Sequence, residues 1–429
     1  MSRMLPMAAF EVPSLSARAI SSLRLALSFT LVCAVGMPFL AFLTMRGGLS
    51  LEREVISYSL VGVGLCSTVS LLLLRRLESY PGVNAYAYVM PVVGLAFALD
   101  VVLVAILRLP YSVFLLGGGF IGALAALLTL ASFRSLRPPR HYALVSGGRV
   151  NYLCSLPTLR HGVLITPDLP RNGAAIVADL HHDHEPDWER FLADAAISGV
   201  PVYHYKQVWE AETGKVQIEH LSENSFGSLV PGNAYGKIKR AGDLVLALAA
   251  LPLLLPAMGL IALLIKRDSA GPAMIRQGRM GYRGRPFEML KFRTMRGTPD
   301  SPGRDAFMTR EGDDRITRVG GFLRRTRLDE LPQVFNIVRG EMSWIGPRPE
   351  ALALSAWYEQ EIPFYRYRHI VRPGISGWAQ VSQGHVTSVG DIDTKLQLDF
   401  YYIKNFSYWI DILIAFRTVR VMLTGFGAK

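Results

Sequence analysis

Asp329 and Glu330 sit side by side behind three arginines, in the run Arg324-Arg325-Thr326-Arg327-Leu328-Asp329-Glu330-Leu331-Pro332-Gln333. Adjacent carboxylates repel, so both stay ionised only beside cations or hydrogen-bond donors. Arginine grips phosphate oxygens two at a time. The pattern suits chemistry on a phosphate, with a divalent metal bridging protein and substrate. A helix surface laced with ion pairs would give the same decapeptide, so its surroundings must decide.

Those surroundings are basic and stiff. Arg276-Gln277-Gly278-Arg279, Arg283-Gly284-Arg285 and Lys291-Phe292-Arg293-Thr294-Met295 precede the acid pair. Gly346-Pro347-Arg348-Pro349 and Arg372-Pro373-Gly374 follow it. Proline and glycine around single arginines hold guanidinium groups on rigid backbone, which lowers the entropy lost on gripping a phosphate. Any one of these motifs reads as a plain turn; their concentration in one segment points to an anion site. The acid pair itself falls in a helical pattern over residues 319–338, with Pro332 as its expected break.

The elements that must position this segment are membrane elements. Half of the 429 residues are hydrophobic and the formal net charge is +12. Such a balance favours anionic membrane surfaces or phosphorylated substrates. Nucleic acid is excluded as a partner because no helix-turn-helix, zinc-finger or aromatic-basic signature is present. Cys33, Cys66 and Cys154 show no metal spacing and imply no disulfide framework. Residues 1–20 contain Glu11 and two prolines and do not read as a secretory signal.

Four apolar runs, at 25–45, 55–74, 87–107 and 113–133, approach the ~20 residues needed to cross a bilayer. Arg3, Arg18 and Arg24 precede the first, Arg75 and Arg76 follow the second, and Arg134, Arg137 and Arg140 follow the fourth. The positive-inside rule puts both ends of this bundle in the cytoplasm. Asp100 is the one charge inside a run, at the bundle interior or near a boundary.

Residues 142–225 alternate short apolar runs with one helical pattern at 186–197, which predicts a small parallel, Rossmann-like sheet. No Gly-x-Gly-x-x-Gly follows its first strand, so no dinucleotide is inferred. His181-His182-Asp183-His184-Glu185 is contiguous, and a solvated loop is the favoured reading over a metal cluster.

A further apolar run at 244–265 has Lys237, Lys239 and Arg240 before it and Lys266-Arg267 after it. Basic residues at both ends, with Pro252 and Pro256 inside, favour a helix-break-helix hairpin that enters the inner leaflet and returns. A fifth crossing is the alternative, and it would put the catalytic candidate outside the cell. The C-terminal helix, residues 410–423, carries Tyr401, Tyr402, Tyr408 and Trp409 ahead of it and reads equally as an interfacial or a core helix.

At this point the chain resembles a known family. Lys291-Phe292-Arg293-Thr294-Met295, Leu328-Asp329-Glu330-Leu331-Pro332-Gln333, Gly346-Pro347-Arg348-Pro349 and Arg372-Pro373-Gly374-Ile375-Ser376-Gly377-Trp378-Ala379-Gln380 match the bacterial sugar transferases, the monotopic polyprenyl-phosphate phosphoglycosyl transferases. The bundle, the α/β segment and Ser225-Phe226-Gly227-Ser228-Leu229 resemble its long, WbaP- or WcaJ-like members.

The fold class so implied is a four-span membrane helical bundle (1–137), a cytoplasmic Rossmann-like α/β domain (138–230) and a mainly α-helical phosphoglycosyl transferase domain (235–429). The last carries a re-entrant membrane hairpin at 244–265, broken at Pro256. The resemblance implies Asp329 as nucleophile, Glu330 as magnesium ligand or general base, and magnesium bound by this pair. It implies Lys291, Arg293, Arg324, Arg348 and Arg372 as residues that bind phosphate or hold the site. A UDP-sugar would donate a hexose-1-phosphate to undecaprenyl phosphate and release UMP, at the cytoplasmic face of the bacterial inner membrane. That step would begin exopolysaccharide, capsule or O-antigen synthesis. The long architecture implies a homodimer and favours glucose or galactose, although no residue selects the sugar. The departures are Leu255 before Pro256, the extra Pro252, Glu341 for a common Asp, and Trp344. Two other classes stay open: a UDP-sugar glycosyltransferase that releases UDP, and a non-catalytic membrane assembly module.

Overall fold

Apolar runs of bilayer length become helices wherever they occur in this chain. The computed structural model describes residues 23–45, 53–135, 141–170, 174–216, 233–296, 315–383 and 389–424. Residues 1–20 and the motif at 225–229 lie outside the described residues. The chain forms two compact units, Met1–Gly214 and Lys215–Lys429.

In the first unit, α1 (Leu23–Met45), α2 (Arg53–Leu77), α3 (Ala85–Leu107) and α4 (Val113–Ser135) enclose the expected runs. Small residues let them approach: a Cβ on Gly119 would stand 2.5 Å from Val63 Cγ1, and one on Gly122 would stand 2.1 Å from the Cys33 carbonyl oxygen. Asp100 faces the bundle interior, because a Cβ on Gly62 of α2 would lie 2.8 Å from its carboxylate.

The same unit contains a parallel sheet ordered β2-β1-β3-β4, from β1 (His141–Val145), β2 (Arg160–Leu164), β3 (Ala175–Ala178) and β4 (Val202–His204). Alternate residues feed two cores. Tyr142, Leu144 and Val177 serve one face; Ala143, Val145 and Ile176 serve the other. Three helices accompany the strands: α5 (Asn151–Cys154), α6 (Pro186–Ile197) and α7 (Tyr205–Thr213). This is the Rossmann-like outline the sequence predicts, with both faces buried as parallel sheets require.

The second unit begins with α8 (Asn233–Asp268), the fifth helix long and apolar enough to cross a membrane. It is helical through Pro252 and Pro256, so the interruption expected at Pro256 is absent from the helix. Val245, Leu246, Leu253, Leu255, Leu260 and Leu263 are exposed along it, an apolar surface that lipid would cover. Ala247, Met258, Ile261 and Ile265 pack inward against Leu323, Val334 and Ile337. Arg240 near its start donates to the Ile337 and Val338 carbonyls (2.5 and 2.9 Å). Asp268 at its end accepts the Val319 N–H (3.1 Å).

An antiparallel hairpin follows, β5 (Met274–Met280) with β6 (Pro286–Phe292). Then come α9 (Arg318–Thr326), α10 (Gln333–Arg339) and β7 (Ser343–Ile345), with α11 (Leu352–Glu361) after them. β8 (Gly374–Ser376) pairs parallel with β7, and α12 (Trp378–Gln383), α13 (Val389–Lys404) and α14 (Tyr408–Thr424) close the unit.

One expectation about the acid-pair segment is corrected here, and the open reading of the C-terminal helix is narrowed. The helix over 319–338 is not continuous to Pro332. It stops at Arg327, whose φ of 59° ends α9, and Pro332 stands at the N-cap of α10, where its missing N–H leaves no donor unpaired. The C-terminal helix has a core face over its first half, where Ile410, Leu413 and Ile414 are fully buried, while Tyr408 at its start and Val419 and Met422 in its later turns are exposed.

Candidate active site

The acid pair lies in a tight turn between two helices. Thr317 caps α9 by accepting the Gly320 N–H (2.9 Å), and the left-handed Arg327 closes it. Leu328–Glu330 then make one 3₁₀ turn, with the Glu330 N–H donating to the Arg327 carbonyl. This tight turn buries both carboxylates, Asp329 at 8% and Glu330 at 6% exposure.

Lys291 reaches the pair from β6. Asn336 on α10 fixes that strand: its Oδ1 accepts the Leu290 N–H (3.0 Å) and its Nδ2 donates to the Glu288 carbonyl (2.8 Å). Arg348 arrives on the loop after β7. The Gly-Pro-Arg-Pro and Arg-Pro-Gly motifs of the sequence form one unit there. The Gly346 N–H donates to the Ser376 carbonyl (2.8 Å), and the Gly374 N–H to that of Pro347 (3.0 Å). A Cβ on Gly374 would stand 2.1 Å from the Gly346 nitrogen, so only glycine permits this approach. Buried Arg368 supports the loop by donating to the Arg348 carbonyl (2.9 Å), while Asp399 pairs with it from α13 (2.8 Å).

The two acids have opposite environments. Glu330 takes both guanidinium nitrogens of Arg348 (2.8 and 3.4 Å), with Arg327 at 3.6 Å and Lys291 at 3.8 Å. Burial opposes its charge, but Arg348 and Lys291 outweigh burial and hold its carboxyl at about 2. Asp329 is pushed up, chiefly by burial, with Glu330 adding to the shift against Lys291 and Arg348. Its Oδ1 is buried and has no hydrogen-bond partner among the described residues. A pair driven apart in this way divides its roles. Glu330 is a locked anion that gathers cations, and Asp329 is a carboxylate with an oxygen to spare. Burial also pulls the Lys291 ammonium down to about 8.

Of the residues the sequence singles out, Lys291 and Arg348 converge on the pair. Arg293 turns instead to the end of α8, donating to the Ser269 carbonyl and hydroxyl (2.7 and 2.9 Å). Arg372 donates to the Gly340 carbonyl (3.0 Å) and stacks over Tyr282 at 4.8 Å. Arg324 lies half-buried in the last turn of α9. Pro256 stands inside α8, within its apolar run. Sequence reasoning did not select Arg327, Arg279, Asn336 or Arg368. Arg327 was visible in the decapeptide. Arg279 is largely buried, donates to the Pro349 carbonyl (3.3 Å), and shares a strand face with Gln277 by simple alternation.

Magnesium binds through one or two carboxylates completed by substrate phosphates. The unpartnered Asp329 Oδ1 fits that requirement, whereas the oxygens of Glu330 face Arg348, Arg327 and Lys291.

A buried acid pair in a cationic shell, on a unit opened by a bilayer-length helix, defines a membrane-bound enzyme that handles an anionic group. The family model for bacterial sugar transferases matches residues 234–425. A UDP-N-acetylgalactosamine-undecaprenyl-phosphate N-acetylgalactosaminephosphotransferase of Aeromonas hydrophila is 45% identical over 364 residues, covering 83% of this chain and 85% of that protein. A UDP-glucose:undecaprenyl-phosphate glucose-1-phosphate transferase of Escherichia coli K12 is 44% identical over 186 residues, 42% of this chain and 39% of its own. A UDP-galactose-lipid carrier transferase of Erwinia amylovora is 36% identical over 246 residues, 54% of this chain and 49% of its own. The chain belongs to the bacterial sugar transferase family.

Proposed function

We propose that this enzyme moves a sugar-1-phosphate from a UDP-sugar to undecaprenyl phosphate and releases UMP, through a phosphosugar carried on Asp329. The observation that carries this reading is the unpartnered Oδ1 of a buried, elevated aspartate beside a glutamate already saturated by cations. A carboxylate oxygen of Asp329 bonds to the sugar-bearing phosphorus as the P–O bond to UMP breaks. An oxygen of the lipid phosphate then bonds to that phosphorus and releases the carboxylate. Lys291 and Arg348 stabilise the phosphate charge that builds in each step. Magnesium, held by Asp329 and the donor diphosphate, would supply further charge neutralisation.

We place the reaction at the cytoplasmic face of the inner membrane, with α8 as a re-entrant hairpin. Both of its ends dock on the same unit, through Arg240 and Asp268, and both of its halves feed one core, through Ala247 and Ile261. A straight helix of 36 residues would extend about 54 Å, well beyond a hydrocarbon core of roughly 30 Å. The reaction would begin assembly of a surface polysaccharide.

For the sugar, the Aeromonas relative aligns over most of both chains, while the glucose enzymes of Escherichia coli and Xanthomonas campestris align over 42% and 49% of this one. This moves the proposal from glucose or galactose to an N-acetylhexosamine. Membranes bearing the chain are to be given a panel of UDP-sugars and the nucleotide product separated by chromatography. UMP is expected, with UDP-N-acetylgalactosamine at least ~10-fold faster than UDP-glucose. UDP as the product would establish the glycosyltransferase reading, and no product from any donor the non-catalytic one.

The low Lys291 ammonium gives a pH dependence. It is charged below about 8 and loses its proton above that value. UMP release is therefore expected to decline as pH rises past 8. In Lys291→Arg the guanidinium keeps its charge, and the decline should move to higher pH. An unchanged alkaline limb in that variant would take Lys291 out of charge stabilisation.

A further inference from the structure

The catalytic reading leaves one dense group of titratable side chains unused. Four of the chain's nine histidines gather around Asp179 at the C-terminal edge of the parallel sheet. His181, His182 and His184 come from the loop after β3, and His204 ends β4. His181 Nδ1 lies 2.8 Å from His204 Nε2, which lies 3.4 Å from Asp179 Oδ1. The ligand-capable atoms of Asp179, His181 and His204 are all within 4.8 Å of one another. Asp179 and His204 are buried and His181 is exposed. The contiguous run at 181–185 reads as a solvated loop by itself. What makes it a cluster is the pairing of β3 with β4, which brings His204 across 23 positions of sequence.

The fold invests in this point. The chain leaves β1 for β2 and then crosses back to β3, so the edge between β1 and β3 is where the strand order reverses. Parallel α/β sheets bind ligands at such edges. The turn after β1 is Gly147-Gly148, with φ of 134° and 54°. A Cβ on Gly148 would stand 2.3 Å from Asp179 Oδ2, and one on Gly147 would stand 2.7 Å from the His182 ring. The backbone is thus pressed against the cluster at two positions that tolerate no side chain. The carboxylate is aimed from behind: Oδ2 accepts the Arg149 N–H (3.0 Å) and Oδ1 accepts that of His181 (3.2 Å).

We propose that Asp179, His181 and His204 form a zinc site with its fourth position open to water. Two imidazoles and one carboxylate suit zinc, whereas magnesium and calcium take oxygen donors. Zinc–ligand bonds of ~2.0–2.2 Å in a tetrahedron put ligand atoms about 3.3 Å apart, and the separations of 2.8 and 3.4 Å bracket that value. The metal-free form is also defined. His204 Nδ1 accepts the Lys206 N–H (3.0 Å), so the neutral ring carries its proton on Nε2 and offers it to His181 and Asp179. Zinc takes the Nε2 lone pair, the ring proton moves to Nδ1 with none released, and the Lys206 cap of α7 is given up.

The full-length protein, in detergent and without a histidine tag, is to be stripped with a chelator and titrated with Zn²⁺ against a chromophoric competitor. Co²⁺ serves as the optical probe. One zinc per chain is expected with sub-micromolar affinity, and Co²⁺ should give the intense visible bands of a tetrahedral site. His181→Ala, an exposed substitution outside the buried core, should weaken binding about 100-fold or more and abolish those bands. UMP release in that variant should match wild type. A chain that binds no zinc at this affinity, or a His181→Ala variant that binds it as well as wild type, would overturn the site.

Discussion

Asparagine at position 329 is expected to reduce UMP release by at least ~10³-fold while raising the melting temperature of the protein. The two effects have one cause. The amide keeps the shape of the side chain but cannot supply a charged oxygen to phosphorus. It also removes a charge that the folded state disfavours, since the Asp329 carboxyl is raised, first by burial. An acid whose folded pKa lies above its unfolded value costs stability at neutral pH, and that cost disappears as pH falls below both values. The stabilisation by Asp329→Asn should therefore be present at pH 7 and vanish under acid conditions. Glu330 has the opposite sign, so Glu330→Gln should lower both activity and melting temperature. Parallel assays of UMP release and thermal unfolding in detergent separate the cases. Asp329→Asn with more than a few per cent of wild-type turnover would show that the phosphosugar is not carried there. Loss of turnover together with a lower melting temperature would show that the aspartate is structural.

Sequence alone pointed to an acid pair among cations and to the family, and missed much of the support. The four apolar runs and the alternating α/β segment appear where periodicity places them, because bilayer length and two-sided burial leave strong patterns. The break in the catalytic helix was misplaced because proline is conspicuous and a left-handed arginine is not; Arg327 carries no local mark of its φ of 59°. Arg293 and Arg348 look alike in sequence, each a lone arginine in a short motif. Only the hairpin register and the β7–β8 pairing reveal that one holds the end of α8 and the other faces Glu330. Asn336 and Arg368 are silent for the same reason: each acts on backbone carbonyls or amides contributed by distant segments. The Asp179 cluster depends on a strand pairing that no local pattern encodes.

The second large effect is expected at Arg348. Methionine there keeps the bulk of the side chain and removes the two bonds that Glu330 receives (2.8 and 3.4 Å). Removing one partner of a buried ion pair costs roughly 3–5 kcal/mol, because the other charge is left in a poor medium. The depression of Glu330 from 4.5 to about 2 gives a similar figure, on the order of 3 kcal/mol at 1.36 kcal/mol per pKa unit. An acid depressed in the folded state stabilises it above its unfolded pKa, and that contribution fades as pH falls from about 4.5 towards 2. Arg348→Met should accordingly melt earlier at pH 7, and its deficit should shrink in acid as Glu330 takes up a proton. Adding Glu330→Gln to Arg348→Met should recover most of the lost stability, since the buried carboxylate that Arg348 neutralises is gone, yet UMP release should stay at least ~10²-fold low. That split separates gripping the phosphate from merely neutralising Glu330. A double variant that recovered activity along with stability would mean that Arg348 serves only its glutamate. A single variant as stable as wild type would mean that Lys291 and Arg327 suffice to hold the acid turn.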